Sequence, residues 1–190
     1  MGFTRNYAFL KYCECVEPRG SFGVYGKERI KNFSGTLVPP TQASGNERYY
    51  VYPVATTGAM SFDNIFGVDC VNRPLTVKVG SSDAEETFDD YTISEIENVS
   101  GTFASRTVSL DENIIKSKFV INITNQSGSS QTIKEIGIVM DFRCHRSNND
   151  TASNYSNIYS GMVYRKKLDT PITIPSNGST SINLEICHEY

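Results

Sequence analysis

Residues 113–142 read NIIKSKFVINITNQSGSSQTIKEIGIVMDF and contain two runs in which apolar and polar side chains alternate. In the first run Phe119, Ile121 and Ile123 share one face and Asn122 lies on the other. Such a two-residue period is typical of a half-buried β-strand, so this stretch predicts two strands. The apolar face of the second run consists of Ile136, Ile138, Met140 and Phe142.

The six residues that join the two runs, Gln126–Gln131, read QSGSSQ. Gly and Ser tolerate the backbone angles of tight turns, so we expect a hairpin in which the two strands pair.

Similar alternation continues on both sides of this stretch. We predict further strands at Leu75–Val79, Thr102–Leu110, Met162–Leu168, Ile172–Ile174 and Thr180–Cys187, with turns at Asp169–Pro171 and Pro175–Gly178. The apolar faces should bury together in one core made of Phe119, Ile121, Ile123, Ile136, Ile138, Ile182, Leu184 and Ile186.

Composition indicates the same fold class. Val and Ile total 30 residues, whereas Leu and Ala total 13, and branching at Cβ suits strands better than helices. Ser, Thr and Asn add 52 of the 190 residues and are typical of solvent faces and turns. Short strands with turn signals at this spacing predict an all-β chain, an antiparallel β-sandwich of jelly-roll-like form.

The length of 190 residues fits one medium domain. We assign residues 61–190 to the sandwich and residues 1–60 to an N-terminal arm and irregular β region that packs on it. Phe3, Tyr7 and Leu10 have the spacing of one helix face, so the first residues form either a short helix or an arm or edge strand.

Charge and hydropathy argue against several partners. The net charge of −3 does not supply the positive field that nucleic acid requires. Apolar runs of about four residues are far shorter than a membrane span of about 20 residues. The N-terminal sequence has no apolar core of about 7–15 residues, so we expect no signal peptide. Five cysteines without a CxxC pair indicate free thiols in a reducing cytoplasm.

The sequence favours a non-enzymatic protein without cofactor or metal. It has two histidines, His145 and His188, and the adjacency of Cys144 and His145 does not supply the geometry that a nucleophile and its base need. It contains no GxSxG, HExxH or glycine-rich phosphate loop.

Two polar segments are candidates for binding. The first carries five carboxylates and is interpreted as a solvated acidic loop rather than a cation site: Asp83, Glu85, Glu86, Asp89 and Asp90. The second is residues 143–161, which we predict to be one long polar loop. Its candidate subunit- or host-contact residues are Asn148, Asn149, Asp150, Asn154, Tyr155, Asn157 and Tyr159.

Three segments in order resemble a family of tailed-bacteriophage virion proteins. Residues 75–93, LTVKVGSSDAEETFDDYTI, resemble a strand ending in V-G, a polar spacer and D-D-Y. Residues 121–138, INITNQSGSSQTIKEIGI, are similar to T-N, a Ser/Gly loop and T-I-x-E-I-G. Residues 162–186, MVYRKKLDTPITIPSNGSTSINLEI, resemble an aliphatic-x-R strand, T-P-I-T-I, N-G-S and a final strand.

The resemblance implies a virion structural protein, assembled in the host cytoplasm, that acts as a tail, collar or neck subunit. Its partners would be copies of itself and portal, tail or capsid proteins. One alternative is a head-decoration protein or fibre adhesin whose 143–161 loop binds a host glycan or receptor. Another is a β-sandwich binding module unrelated to phage.

The residues of these segments also have structural interpretations. Gly137 lies inside a strand run, which indicates a bulge or a close approach of another group. Glu135 shares a face with Gly137 and would reach Arg165 if the two strands are neighbours. Asp90 would cap its loop through a side-chain to backbone bond, with Tyr91 packing down.

Overall fold

The computed structural model describes residues 3–8, 22–25, 30–38, 48–53, 75–112, 114–146 and 158–189. Within these residues the chain is mostly strand, with loops between the strands and a single helical turn at Arg5–Ala8, so the all-β class is confirmed. The strands are β1 (Phe22–Tyr25), β2 (Ile30–Lys31), β3 (Leu37–Val38), β4 (Arg48–Pro53), β5 (Leu75–Gly80), β6 (Val99–Asp111), β7 (Ile114–Asn125), β8 (Gln131–Arg146), β9 (Ile158–Ile174) and β10 (Ser179–Glu189).

Eight strands form one antiparallel curled sheet, and β2 and β3 form a small second sheet. The order is β1-β4-β8-β5-β6-β7-β10, and β9 pairs with the other edge of β8. β9 and β10 therefore lie at opposite ends of the sheet, yet only the turn Pro175–Gly178 joins them. That turn was predicted, and it is closed by a hydrogen bond of 2.9 Å from the amide of Gly178 to the carbonyl of Pro175. Such a short connection requires the sheet to curl.

The inner face of the curled sheet encloses the predicted core. Seven of the eight predicted side chains are buried in one cluster, and Ile182 packs against it while remaining partly exposed. Directly paired residues of neighbouring strands point to the same face of a sheet. Leu184 of β10 lies opposite Phe119 of β7 and Ile182 lies opposite Ile121, so the apolar faces of the two strands form one continuous surface towards the core.

The predicted hairpin between β7 and β8 is wrong. β7 is paired on its two edges with β6 and β10, whereas β8 pairs with β4, β5 and β9. The connecting residues are instead held by the buried side chain of Asn125. Its Nδ2 donates to the carbonyls of Ser129 at 2.9 Å, Ile174 at 3.1 Å and Pro175 at 3.0 Å. These bonds attach the 126–130 loop to the turn between β9 and β10.

Two further predictions about β8 and β9 are corrected. The predicted turn at Asp169–Pro171 lies inside β9, where Ile172 pairs with Ile133 but Lys167 pairs with Glu135. The extra residues of β9 are accommodated as an irregularity in the ladder. The predicted loop 143–161 is shorter at both ends, because β8 continues through Arg146 and β9 begins at Ile158.

β8 is buried on both faces, which positions the candidate site. On its outer face Val139 packs with Ile93 and Met162 in a second apolar cluster, against which Phe33 also packs. A Cβ atom on Gly137 would lie 3.2 Å from the sulfur of Met162, which confirms the predicted close approach. This face is covered by segments from outside the main strands.

The N-terminal residues contribute to that cover. Phe3 forms an isolated bridge with Tyr164 of β9, and its ring stacks on Tyr7 at 4.3 Å. Thr4 donates its hydroxyl to the carbonyl of Met162 at 2.6 Å. Residues 3–8 therefore combine both predicted forms, an arm along β9 and a helical turn; Leu10 lies outside the described residues. β1 and β4 join the main sheet, and the division at residue 60 stays a prediction.

Candidate functional site

The predicted contact loop lies largely beyond the described residues. Asn148, Asn149, Asp150, Asn154, Tyr155 and Asn157 fall outside them. Tyr159 is described: it lies in β9 opposite Phe142, half-buried, with the two ring centroids 6.0 Å apart. Its side chain thus contributes to core packing, and its contact role stays a prediction.

The acidic residues 83–90 lie on the outer side of β8 and β9, and their carboxylates pair with Lys and Arg side chains. Asp83, Glu85 and Asp89 are exposed, as predicted for a solvated loop, whereas Glu86 and Asp90 are largely buried, and each of the five carboxylates also forms an ion pair. The pairs are Asp83 with Lys134, Glu85 with Lys167, Glu86 with Lys166, Asp89 with Arg5, and Asp90 with Arg165. We call residues 81–97 the acidic segment.

The centre of this arrangement is a buried ionic cluster of Glu135, Arg165 and Asp90. Arg165 Nε donates to Glu135 Oε2 at 2.8 Å, which confirms the predicted contact, and Nη1 donates to Asp90 Oδ2 at 2.7 Å. The guanidinium also donates to the carbonyls of Ala84 at 3.0 Å and Glu85 at 3.1 Å. The Glu135 side chain is fully buried, so the cluster joins the acidic segment to both central strands.

The second carboxylate oxygen of Glu135 binds backbone amides of the acidic segment. Oε1 accepts hydrogen bonds from the amides of Ser94 at 2.9 Å and Ser82 at 3.3 Å. Asp90 in turn accepts from the amide of Thr87 at 2.8 Å, which confirms the predicted cap. Tyr91 packs near Gly35, and Lys31 Nζ lies 3.6 Å from the centre of its ring.

Gly80 is required by this cluster. A Cβ atom at residue 80 would lie 2.3 Å from Glu135 Oε1 and 2.6 Å from its Cγ, so the whole carboxylate would have to move. We expect Gly80→Ala to lower the melting temperature and to increase hydrogen exchange in residues 81–97. Gly128→Ala is the matched control, because its Cβ would meet nothing within 4 Å. Equal melting temperatures for the two variants would contradict the assignment.

The charge state of Asp90 makes the cluster sensitive to acid. Burial raises the pKa of this carboxyl, but hydrogen bonds from Thr87 and Arg165 outweigh that effect, and the net pKa lies below the ordinary 3.8. A carboxyl whose pKa is depressed by folding contributes stability above its unfolded pKa and loses it as the pH falls through the folded value.

We therefore expect the free energy of unfolding to fall as the pH drops below about 3.8. Asp90→Asn should be less stable than the wild type at neutral pH and should show a shallower acid dependence. Urea unfolding measured from pH 7 to pH 2 tests this. An identical acid slope in both proteins would show that Asp90 is not responsible.

A cavity of about 230 Å³ lies beside the cluster, lined by Arg5, Asn6, Lys31, Leu37 and Asp89–Tyr91. Asn6 donates to the carbonyl of Lys31 at 2.7 Å and accepts from its amide at 3.1 Å, so this side chain is used to attach one covering segment to the next. The charged groups around the cavity already have partners within the chain: Arg5 pairs with Asp89, Asp90 pairs with Arg165, and Lys31 lies over the Tyr91 ring. The cavity is therefore interpreted as part of the packing between segments.

Chemically, the site joins strands and loops. In the described part of the chain no three His, Cys, Asp or Glu side chains are grouped so that they could hold a metal ion. Among the same residues no helix has the length and apolar character of a membrane span. No family model, no curated protein and no solved structure matches this chain.

The sequence predicted the Glu135–Arg165 contact and the Asp90 cap, but not the ion pairs between the acidic segment and the basic residues of β9. The signal was available in two complementary runs, the acidic residues 83–90 and the basic residues Arg165–Lys167. The two runs are about eighty residues apart along the chain. Their pairing could not be predicted because the sequence does not show that the acidic segment crosses β9.

Proposed function

We propose that this chain is a non-enzymatic structural protein of a bacteriophage virion, a tail, collar or neck subunit that assembles through repeated subunit contacts. The observation that carries the proposal is the convergence of the three family-like segments. Asp90 of the D-D-Y segment, Glu135 of E-I-G and Arg165 of the aliphatic-x-R strand meet in one ionic cluster.

The other residues of the pattern support the same interpretation. Gly80 of V-G leaves space for Glu135, and Asn125 of T-N holds the β9–β10 turn. Gly178 of N-G-S closes that turn. These six residues of the pattern all fix the backbone or one another, which is expected of a scaffold, and function is argued from such sites rather than from the fold.

The proposal includes the detailed fold: we propose that the curled sheet is a β-sandwich of jelly-roll-like form. Its support is that β6, β7 and β10 pair extensively with one another, while β5 and β6 share the single register pair Val77↔Gly101. With so little pairing at this point, the curled sheet can act as two layers around one core.

The test is to locate and count the chain in particles of the phage that encodes it. We expect antibody labelling at one defined position of the virion and, by quantitative mass spectrometry, several copies in each particle. Absence from purified particles, or a single copy in each, would contradict the proposal.

Deletion of Asn148–Asn157 separates the tail-subunit function from the adhesin alternative. If the loop contacts a neighbouring subunit, the purified variant should fold normally, as measured by circular dichroism, while particle assembly is impaired. If the loop contacts the host, particles should assemble and fail to adsorb to cells. Normal assembly with normal adsorption would exclude the loop from both roles.

A further inference from the structure

The strand edges that the described residues leave unpaired differ in how well they are protected. Exposed edges tend to recruit further strands, and proteins normally blunt them with short strands, bulges, proline or covering segments. β1 is short, with four residues. β9 contains two register shifts and Pro171, and Thr4 and Phe3 cover part of it. β6 is bulged between Phe103 and Ser105, where its pairing with β7 shifts register.

As far as the described residues show, β10 has none of these protections. Its eleven residues, STSINLEICHE, contain no proline, glycine or lysine, and they pair with β7 in unbroken register from Ser179 to Glu189. No other described strand pairs with its outer edge. Its exposed side chains are Ser179, Ser181, Asn183, Glu185 and Cys187.

We propose that the outer edge of β10 binds the same edge of a second copy of this chain, antiparallel and across a twofold axis, so that the two sheets become continuous. Main-chain hydrogen bonds supply such an association, and an isologous contact needs a strand that is complementary to itself. This proposal rests on the proposed function for its biological setting, where it identifies one of the repeated subunit contacts.

The side-chain pattern selects a register centred on Leu184. This register pairs all eleven residues, and on the apolar face it places Leu184 opposite its own copy and Ile182 opposite Ile186. Asn183 then faces Glu185, and no like charges lie directly opposite each other. A shift by one position, centred on Glu185, would set two carboxylates face to face and is disfavoured.

A charge pair at Asn183 tests the contact. Asn183→Lys would place a cation opposite Glu185 of the other copy, and Asn183→Asp would place a second anion there. Each substitution occurs twice in the dimer, so we expect the dissociation constant to change by about 2- to 30-fold, tighter for lysine and weaker for aspartate. Sedimentation equilibrium of purified protein measures both, with melting temperatures to verify folding.

Disulfide trapping tests the register. In the register centred on Leu184, residue 181 faces Cys187 of the other copy, within the distance a disulfide can bridge. Ser181→Cys should therefore form a covalent dimer on mild oxidation, and peptide mapping should identify a 181–187 link. Ser181→Cys with Cys187→Ser is the control that should not form it, and Ser179→Cys reports the register centred on Asn183.

The outcomes are separable from those of the virion test. A protein that stays monomeric at its highest soluble concentration would overturn the β10 contact, even if several copies occur in particles. A dimer that responds to neither Asn183 substitution and forms no 181–187 link would also overturn it. Trapping through Ser179→Cys alone would overturn the register centred on Leu184.

Discussion

Replacing Arg165 by methionine should lower the free energy of unfolding by about 3–5 kcal/mol, because it leaves a buried carboxylate without its counter-charge. The Glu135 side chain has no exposed surface and would retain only the two amide donors on its other oxygen. The carbonyls of Ala84 and Glu85 would lose their guanidinium donor as well. Chemical denaturation at neutral pH measures the loss.

Two further variants test whether the loss of stability comes from an unpaired buried charge or from the loss of any ion pair. Lys118→Met breaks the exposed pair with Glu185 and should lower stability far less than Arg165→Met, because solvent screens this pair. Glu135→Gln combined with Arg165→Met removes the fully buried carboxylate together with its counter-charge, although Asp90 keeps its charge, and should be more stable than Arg165→Met alone. A double variant less stable than either single variant would contradict the view that the uncompensated charge dominates.

Replacing Leu184 by alanine should cost about 2–5 kcal/mol, since it removes buried methyl groups and leaves a cavity against Phe119. Ile121→Ala, at a fully buried position of β7, should fall in the same range.

Leu110 provides the matched control for the core variants. It belongs to the same residue type but is 72% exposed at the end of β6, so Leu110→Ala should change stability by only about 0.5 kcal/mol or less. Thermal and denaturant unfolding of the three variants tests the assigned strand faces. Unchanged melting temperatures for both core variants would show that the faces are wrong.

The sequence predicted the strands well wherever one face is buried. In β7 and β10 the two-residue alternation is regular, and their buried faces match the expectation. β8 was predicted equally well as a strand, but its second face is also buried, which the run Glu135–Met140 shows only in the structure. Alternation of apolar and polar residues predicts that one face of a strand is buried, but it does not predict whether other segments cover the second face.

The candidate site was predictable only in part. The Glu135–Arg165 contact was predictable because Glu135 shares a face with Gly137, which lies opposite Arg165 on the neighbouring strand, so the two side chains are diagonal neighbours. The contribution of Asp90 and of the Ser82 and Ser94 amides depends on a segment without alternation, whose path is set by the charges that it meets.

The sequence by itself determined the all-β class, the faces of β7 and β10, and the residues of the central core, because these follow from side-chain periodicity along a single strand. Only the tertiary structure decided which strands pair. It placed β7 between β6 and β10, and it placed the acidic segment over β8 and β9. The physical reason is that backbone hydrogen bonds are the same for every pair of strands. Partner choice therefore depends on packing and charge contacts between residues far apart in the chain, which local sequence patterns do not encode.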